Sequence, residues 1–310
     1  MSARNPVYHI GDVSITRIDE QILRASTPAS LYTDADLSAW SPHMSRFSPG
    51  SIQPETGTLV QSIHTWLLRT PNHVILIDTA TGNDKERPFA PVLHRLNLPF
   101  LARLAACGVQ PEDVDYVVLS HLHSDHVGWN TSLRNGAWVP TFPNARHIFS
   151  AKESAYCGAL DHGEAPDPEQ ITPGLGPMRS RPSPGVYTDS VLPIIEAGLA
   201  DFIAVDEQEV VDGLSFLSTP GHSIDHASIR LVSRGEEALF AGDIMHHPLQ
   251  VYEPGLTSRH CEFPEAAARS RRRALSEAAT RGIPLFTTHF AETSAGRVSR
   301  DGDGFAWSFI

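Results

Sequence analysis

Apolar and polar residues alternate over residues 13–18 (Val-Ser-Ile-Thr-Arg-Ile), which predicts a half-buried strand. Two apolar runs follow, at 63–68 and 74–77, separated by Thr70-Pro71-Asn72-His73. Turn residues between two such runs predict a hairpin. Over 88–106 the apolar positions Val92, Leu93, Leu96, Leu101 and Leu104 fall at helical spacing, and the pattern stops before Gly108. Pro99 interrupts it, so two short helices or one kinked helix are expected. Residues 114–119 form a continuous apolar run, as expected of a strand buried on both faces, and lead directly into Ser120 and His121. Further strands are expected at 146–150, 202–205, 214–218, 227–232, 238–241 and 285–288. The clearest helix is 265–281, preceded by Pro264 and closed by Gly282. Residues 158–190 hold six prolines and few apolar residues, and read as a lid or binding loop.

Composition narrows this picture. The chain has 310 residues, 41% of them hydrophobic, with no internal repeat and no convincing linker. One α/β domain over 1–310 is therefore expected, with 1–60 as an N-terminal extension ahead of the hairpin. Acids outnumber bases 36 to 24, and the net charge of −12 argues against nucleic acid or an anionic membrane as partner. The run Arg271-Arg272-Arg273 reads as a solvated helix face. Three widely spaced cysteines form no disulfide framework. With no apolar signal core at the N-terminus and no run of 18 apolar residues, a cytoplasmic location is expected.

Sixteen histidines are many for this length, and they are not scattered. Ser120-His-Leu-His-Ser-Asp-His-Val-Gly128 places three histidines and an aspartate within six residues, immediately after a predicted buried strand. Imidazole and carboxylate are the usual nitrogen and oxygen ligands of zinc. His121 and His123, two apart in an extended loop, face the same way and can share one ion. Asp125 and His126, beyond the bend, can face a second. Three more ligand-type residues leave predicted strand ends: His222 after Thr219-Pro220-Gly221, Asp243 after Ala241-Gly242, and His289 after residues 285–288. Strand ends are where an α/β sheet gathers its chemistry, and the set completes two metal sites.

The order His-x-His-x-Asp-His, then Gly-His, then Gly-Asp, then a late His resembles the metallo-β-lactamase fold superfamily over roughly residues 60–295. The resemblance implies a four-layer αββα sandwich with metals at one edge. It implies that His121, His123 and His222 hold one ion, that Asp125, His126 and His289 hold the other, and that Asp243 bridges them. Asp78 would support the metal loop from its own strand end. His123 stands where the di-iron flavoprotein branch carries Glu, which disfavours redox chemistry. No cysteine stands where common β-lactamases place one, near Asp243. The implied cofactors are two divalent ions, zinc first.

Such a pair lowers the pKa of a shared water and polarises a substrate oxygen. The expected reaction is attack by a metal-bridging hydroxide, with Asp125 orienting it and carrying a proton to the leaving group. Gly242-Asp-Ile-Met-His246, Trp129-Asn130 and Thr141-Phe-Pro-Asn-Ala-Arg146 are similar to the methyl parathion hydrolase-like and lactonase branch. That likeness implies a small ester substrate, a lactone first. The alternatives are an aryl ester or phosphotriester, a glyoxalase II-like thioester, and, against the charge balance, a nucleic acid. Members of the branch are often dimers, which implies a homodimer. The pattern departs at Asp225-His226, where many members have Gly-His. His246 reads either as a partner of Asp243 or as a packed loop residue. Trp129 and the 158–190 segment, with Tyr187, are the expected pocket walls.

Overall fold

The computed structural model describes residues 6–33, 43, 46–47 and 50–310. Two sheets lie face to face. The first runs in the order Val7–Ile10, Val13–Ser26, Thr58–Arg69, Val74–Ile77, Tyr116–Val118, Arg146–Ser150 and Ala200–Ile203, with Ile52–Gln53 paired onto Thr58–Arg69. The second runs Glu209–Val211, Leu214–Ser218, Ala227–Ser233, Glu236–Phe240, Pro284–Phe286, Ala295–Asp301 and Gly304–Phe309. Between them, Trp66, Ile75, Ile77, Val118 and Ile148 of one sheet pack against Phe216, Ile229, Leu231, Phe240 and Phe286 of the other. Alternate residues of the same strands point outward. Leu67, Leu76 and Val117 meet Phe100 and Leu104 of the helix Phe100–Ala106. Leu217, Leu239 and Leu285 meet Ala274, Leu275 and Ala278 of the helix Pro264–Arg281. Both faces of each central strand are thereby covered, which gives the four-layer αββα sandwich.

Strand direction positions the chemistry. Val74–Ile77, Tyr116–Val118, Arg146–Ser150 and Ala200–Ile203 are mutually parallel. Glu236–Phe240 and Pro284–Phe286 are parallel in the second sheet. The loops that leave these strands carry Asp78, His121 through His126, Asp243 and His289, all toward one edge of the sandwich.

Several expectations change in detail. The alternating segment at 13–18 continues to Ser26, so part of the N-terminal stretch is woven into the first sheet by pairing with Thr58–Arg69. The run 114–119 is strand only over Tyr116–Val118. The pattern at 88–106 resolves into a 3-10 turn, Pro91–Leu93, and the helix Phe100–Ala106. The helix Ala151–Asp161, capped by the Ser150 hydroxyl, leads into the proline-rich segment, which ends in a π-helical turn, Tyr187–Val191. In the arginine run Arg272 and Arg273 are exposed, as expected of a solvated face, but Arg271 is not. Arg271 is fully buried and donates to the carbonyls of Ile244, Pro254 and Leu256, pinning the loop that follows Asp243. No helix among the described residues is long and apolar enough to cross a membrane.

Candidate metal centre

The loop after Tyr116–Val118 is held from behind by Asp78. This residue takes φ of +56° at the exit of Val74–Ile77. Its carboxylate accepts from the Ser120 amide (2.8 Å), the Ser120 hydroxyl (2.8 Å) and His126 Nδ1 (2.8 Å). A carboxylate on Nδ1 fixes the ring and leaves Nε2 of His126 free to face the centre. His222 is delivered by Gly221, whose φ of +126° favours glycine and where a Cβ would stand 2.1 Å from the Ala267 amide nitrogen. Asp243 follows Gly242, where a Cβ would meet His226 Nε2 at 2.5 Å. His226 itself accepts from the Asp243 amide at 2.8 Å, behind the cluster. His289 Nδ1 donates to the Ser62 carbonyl (3.0 Å), which turns its Nε2 inward.

The seven residues anticipated as ligands meet at one place. Ligand atoms of His121, His123 and His222 all lie within 4.8 Å of one another, and so do those of Asp125, His126 and His289. Asp243 stands between the two groups. Its Oδ1 is 3.2 Å from His126 Nε2, and its Oδ2 is 3.2 Å from His222 Nε2 and 3.0 Å from His289 Nε2. His246 joins them, its Nε2 3.3 Å from Asp243 Oδ2. His121 Nε2, His126 Nε2, Asp243 Oδ1 and both ring nitrogens of His246 are buried without a hydrogen-bond partner. Buried polar atoms are ordinarily paired, so this concentration of unpaired ligand atoms fits divalent cations.

Electrostatics points the same way. Burial pushes His121 and His222 well below the usual histidine range, which leaves their lone pairs available. Burial alone would raise Asp243, but His126, His289, His222 and His246 outweigh it and hold the carboxyl well below its ordinary value. Asp125 is also lowered: burial opposes the shift, and His126 and His289 prevail.

A cavity of about 570 Å³ opens above the cluster. His123, Asp125, His222, Asp243, His246 and His289 reach its floor. The proline-rich segment contributes Ser180, Arg181 and Ser183 to its wall. Two expected wall residues lie elsewhere. Trp129 is buried, stacked on Phe100 with ring centroids 5.2 Å apart, and its indole N–H donates to Glu20 Oε1 at 2.8 Å. Glu20 also accepts from the Thr81 and Gly82 amides, so it supplies the buried partner that an indole N–H requires. Tyr187, at the start of the π-helical turn, lines a separate cavity of about 200 Å³ with Leu122 and Cys157.

Glu262 had no motif to announce it. Buried just before the helix Pro264–Arg281, it accepts from His123 Nε2 at 2.8 Å while His123 Nδ1 faces His222 Nε2 at 2.9 Å. Glu153, whose carboxyl is pushed up to about 7 by burial and by Glu262, accepts from the Asp225 amide. The unusual Asp225 is thereby tied down, since its own carboxylate accepts from the Ser150 hydroxyl at 2.5 Å.

The fold and this centre together define the class. Residues 59–289 match the model of the metallo-beta-lactamase superfamily, and the chain belongs to that superfamily. The N-acyl homoserine lactonase AttM of Azorhizobium caulinodans is 43% identical over 61 residues, 20% of either chain. An N-acyl homoserine lactonase from Bacillus sp is 32% identical over 126 residues, 41% of this chain and 36% of that one. The matched stretches thus span only a fifth to just over a third of these curated relatives. Among solved structures, the hydrolase AbOPH superposes with a TM-score of 0.78 at 23% identity, covering 100% of this chain and 98% of that one. AidC, a dizinc quorum-quenching lactonase, does so with a TM-score of 0.78 at 17% identity, covering 99% and 97%. At these identities the structures share the fold.

Proposed function

We propose that the chain is a dinuclear metal-dependent hydrolase of small esters, with lactones first. The observation that carries this reading is Asp243, whose one carboxylate lies within 3.2 Å of His222 Nε2 of the first group and of His126 Nε2 and His289 Nε2 of the second. His121, His123 and His222 would hold one ion, Asp125, His126 and His289 the other, and Asp243 both. Zinc suits this nitrogen and carboxylate donor set. When bound, two such cations supply Lewis acidity toward a substrate oxygen and lower the pKa of water.

The protein groups supply the rest. Asp125 is the most accessible carboxylate of the cluster, its side chain 21% exposed against 3% for Asp243. Its Oδ2 lies 3.6 Å from His289 Nε2, at the cavity floor. There it can accept a proton from water and return it to the leaving oxygen. The apolar cavity wall excludes water from a bound acyl chain, and the volume suits a small molecule, within the about 300–1,000 Å³ of ordinary ligand sites. The named lactonase relatives and AidC support a lactone over an aryl ester or thioester.

The test is a hydrolysis panel of lactones, aryl esters, thioesters and phosphotriesters on protein of measured metal content. Lactone turnover at least tenfold above the other classes is expected. Turnover confined to another class would replace the lactone reading, and no turnover of any class by metal-replete protein would overturn the hydrolase reading.

A further inference from the structure

Two unlike sets of residues line the cavity above the cluster. The first is apolar: Phe89 and Val92 are each 44% exposed and line it with Ile63 and Leu93, so this apolar surface is not covered by the protein's own packing. The second is cationic: Arg181 and Arg259, both exposed. Among the described residues Arg181 makes no hydrogen bond or ion pair within the protein, and Arg259 Nε has only a long 3.5 Å contact to His260 Nε2. Other arginines of the chain are engaged: Arg87 grips Asp189, and Arg271 three carbonyls. Apart from Asp125 and Asp243 in the cluster, no carboxylate lines the cavity among the described residues. In a chain of net charge −12, two cations facing one cleft without a counter-ion oppose the general balance. A guanidinium offers a planar fork of donors that matches a carboxylate, and a cleft concentrates its field.

We propose that the substrate is amphiphilic. Its apolar chain lies against Ile63, Phe89, Val92 and Leu93. A carboxylate, distinct from the ester to be cleaved, pairs with Arg181 and Arg259. The assignment rests on the hydrolase reading above and names the substrate class of the same site. Arg181 also borders the neighbouring cavity of about 200 Å³, so the carboxylate lies toward the proline-rich segment.

The experiment compares two γ-lactones with side chains of equal length, one ending in a carboxylate and the other in a carboxamide. Both are measured on metal-quantified wild type and on Arg181→Gln, Arg259→Gln and the double variant. The expected preference for the carboxylate is about tenfold in kcat/KM, carried mainly by KM, reduced by salt, and falling to about twofold or less in the double variant. Because each protein is read as a ratio, a general loss of activity cancels. A ratio near one in wild type, or a ratio unchanged in the double variant, overturns the inference and leaves the hydrolase reading standing. If neither lactone is turned over, the hydrolase reading falls. Calorimetry with an alkane dicarboxylate and the monocarboxylate of equal length then decides the arginines: tighter binding of the dicarboxylate, lost in the double variant, supports them, and equal binding overturns them.

Discussion

Glu262 Oε1 accepts a hydrogen bond from His123 Nε2 at 2.8 Å, across 139 residues of chain, and fixes which nitrogen of that ring faces the metal cluster. Buried carboxylates behind metal-binding imidazoles typically account for about 10–100-fold in metal affinity. Glu262→Leu should weaken zinc binding by that order in a chelator competition, while Glu262→Gln, which keeps an acceptor, should retain most of it. Equal affinity in the leucine variant, with an unchanged circular dichroism spectrum, would show that Glu262 does not position His123.

Asp78 performs the same service for His126 and in addition pins Ser120. Asn tolerates the positive φ of this position, so Asp78→Asn tests charge rather than backbone. The variant should bind one zinc ion at least tenfold more weakly than wild type, read as a fractional second equivalent by mass spectrometry of the native protein. Two full equivalents at limiting zinc would contradict this role.

Arg271 donates to the buried carbonyls of Ile244 and Pro254 and to that of Leu256, which also accepts from Gln250, and so ties down the loop that follows Asp243. Arg271→Met keeps much of the volume and removes the donors. Buried carbonyls without partners cost about 1–3 kcal/mol each, and partial relaxation leaves a net loss of about 3 kcal/mol. For a chain of 310 residues the melting temperature should fall by roughly 4–6 °C. A fall of less than about 2 °C would mean that the carbonyls find other donors.

Lys85 is buried beside Asp189, with Nζ 3.6 Å from the centroid of the Trp138 ring. Burial, only partly opposed by Asp189, lowers its pKa from 10.5 to about 7. Between those values the unfolded chain binds the proton and the folded chain does not, so this group makes stability rise with pH across that window. Lys85→Met removes that dependence. The melting temperature of wild type relative to the variant should therefore increase from pH 7 to pH 10. A difference that stays constant would show that Lys85 is not desolvated in this way.

The candidate ligands could be picked out of the sequence because four of them fall within six residues and the others each follow a strand. Their chemistry is concentrated in short motifs that local geometry alone brings to one edge. What supports them was not readable, because it comes from far along the chain. Glu20 turns inward at an irregularity in pairing between Asp19 and Gln21, which no alternation pattern reports, and only there does it meet Trp129. An indole beside the metal motif therefore reads as a pocket wall when its partner lies 109 residues away. Arg271 shares its run with two other arginines, and composition cannot distinguish the buried one. The strands Ala295–Asp301 and Gly304–Phe309, the last two of the second sheet, present exposed polar positions and so lack the apolar run that marks a strand buried on both faces.

The central claim is that Asp243 joins two metal sites on which lactone hydrolysis depends. Titrating zinc into stripped protein while following lactone turnover tests it most directly. Activity should rise to a plateau at two equivalents per chain, and Asp243→Asn should lose at least a hundredfold at the same zinc content. A plateau at one equivalent, or near wild-type turnover by Asp243→Asn, would contradict it.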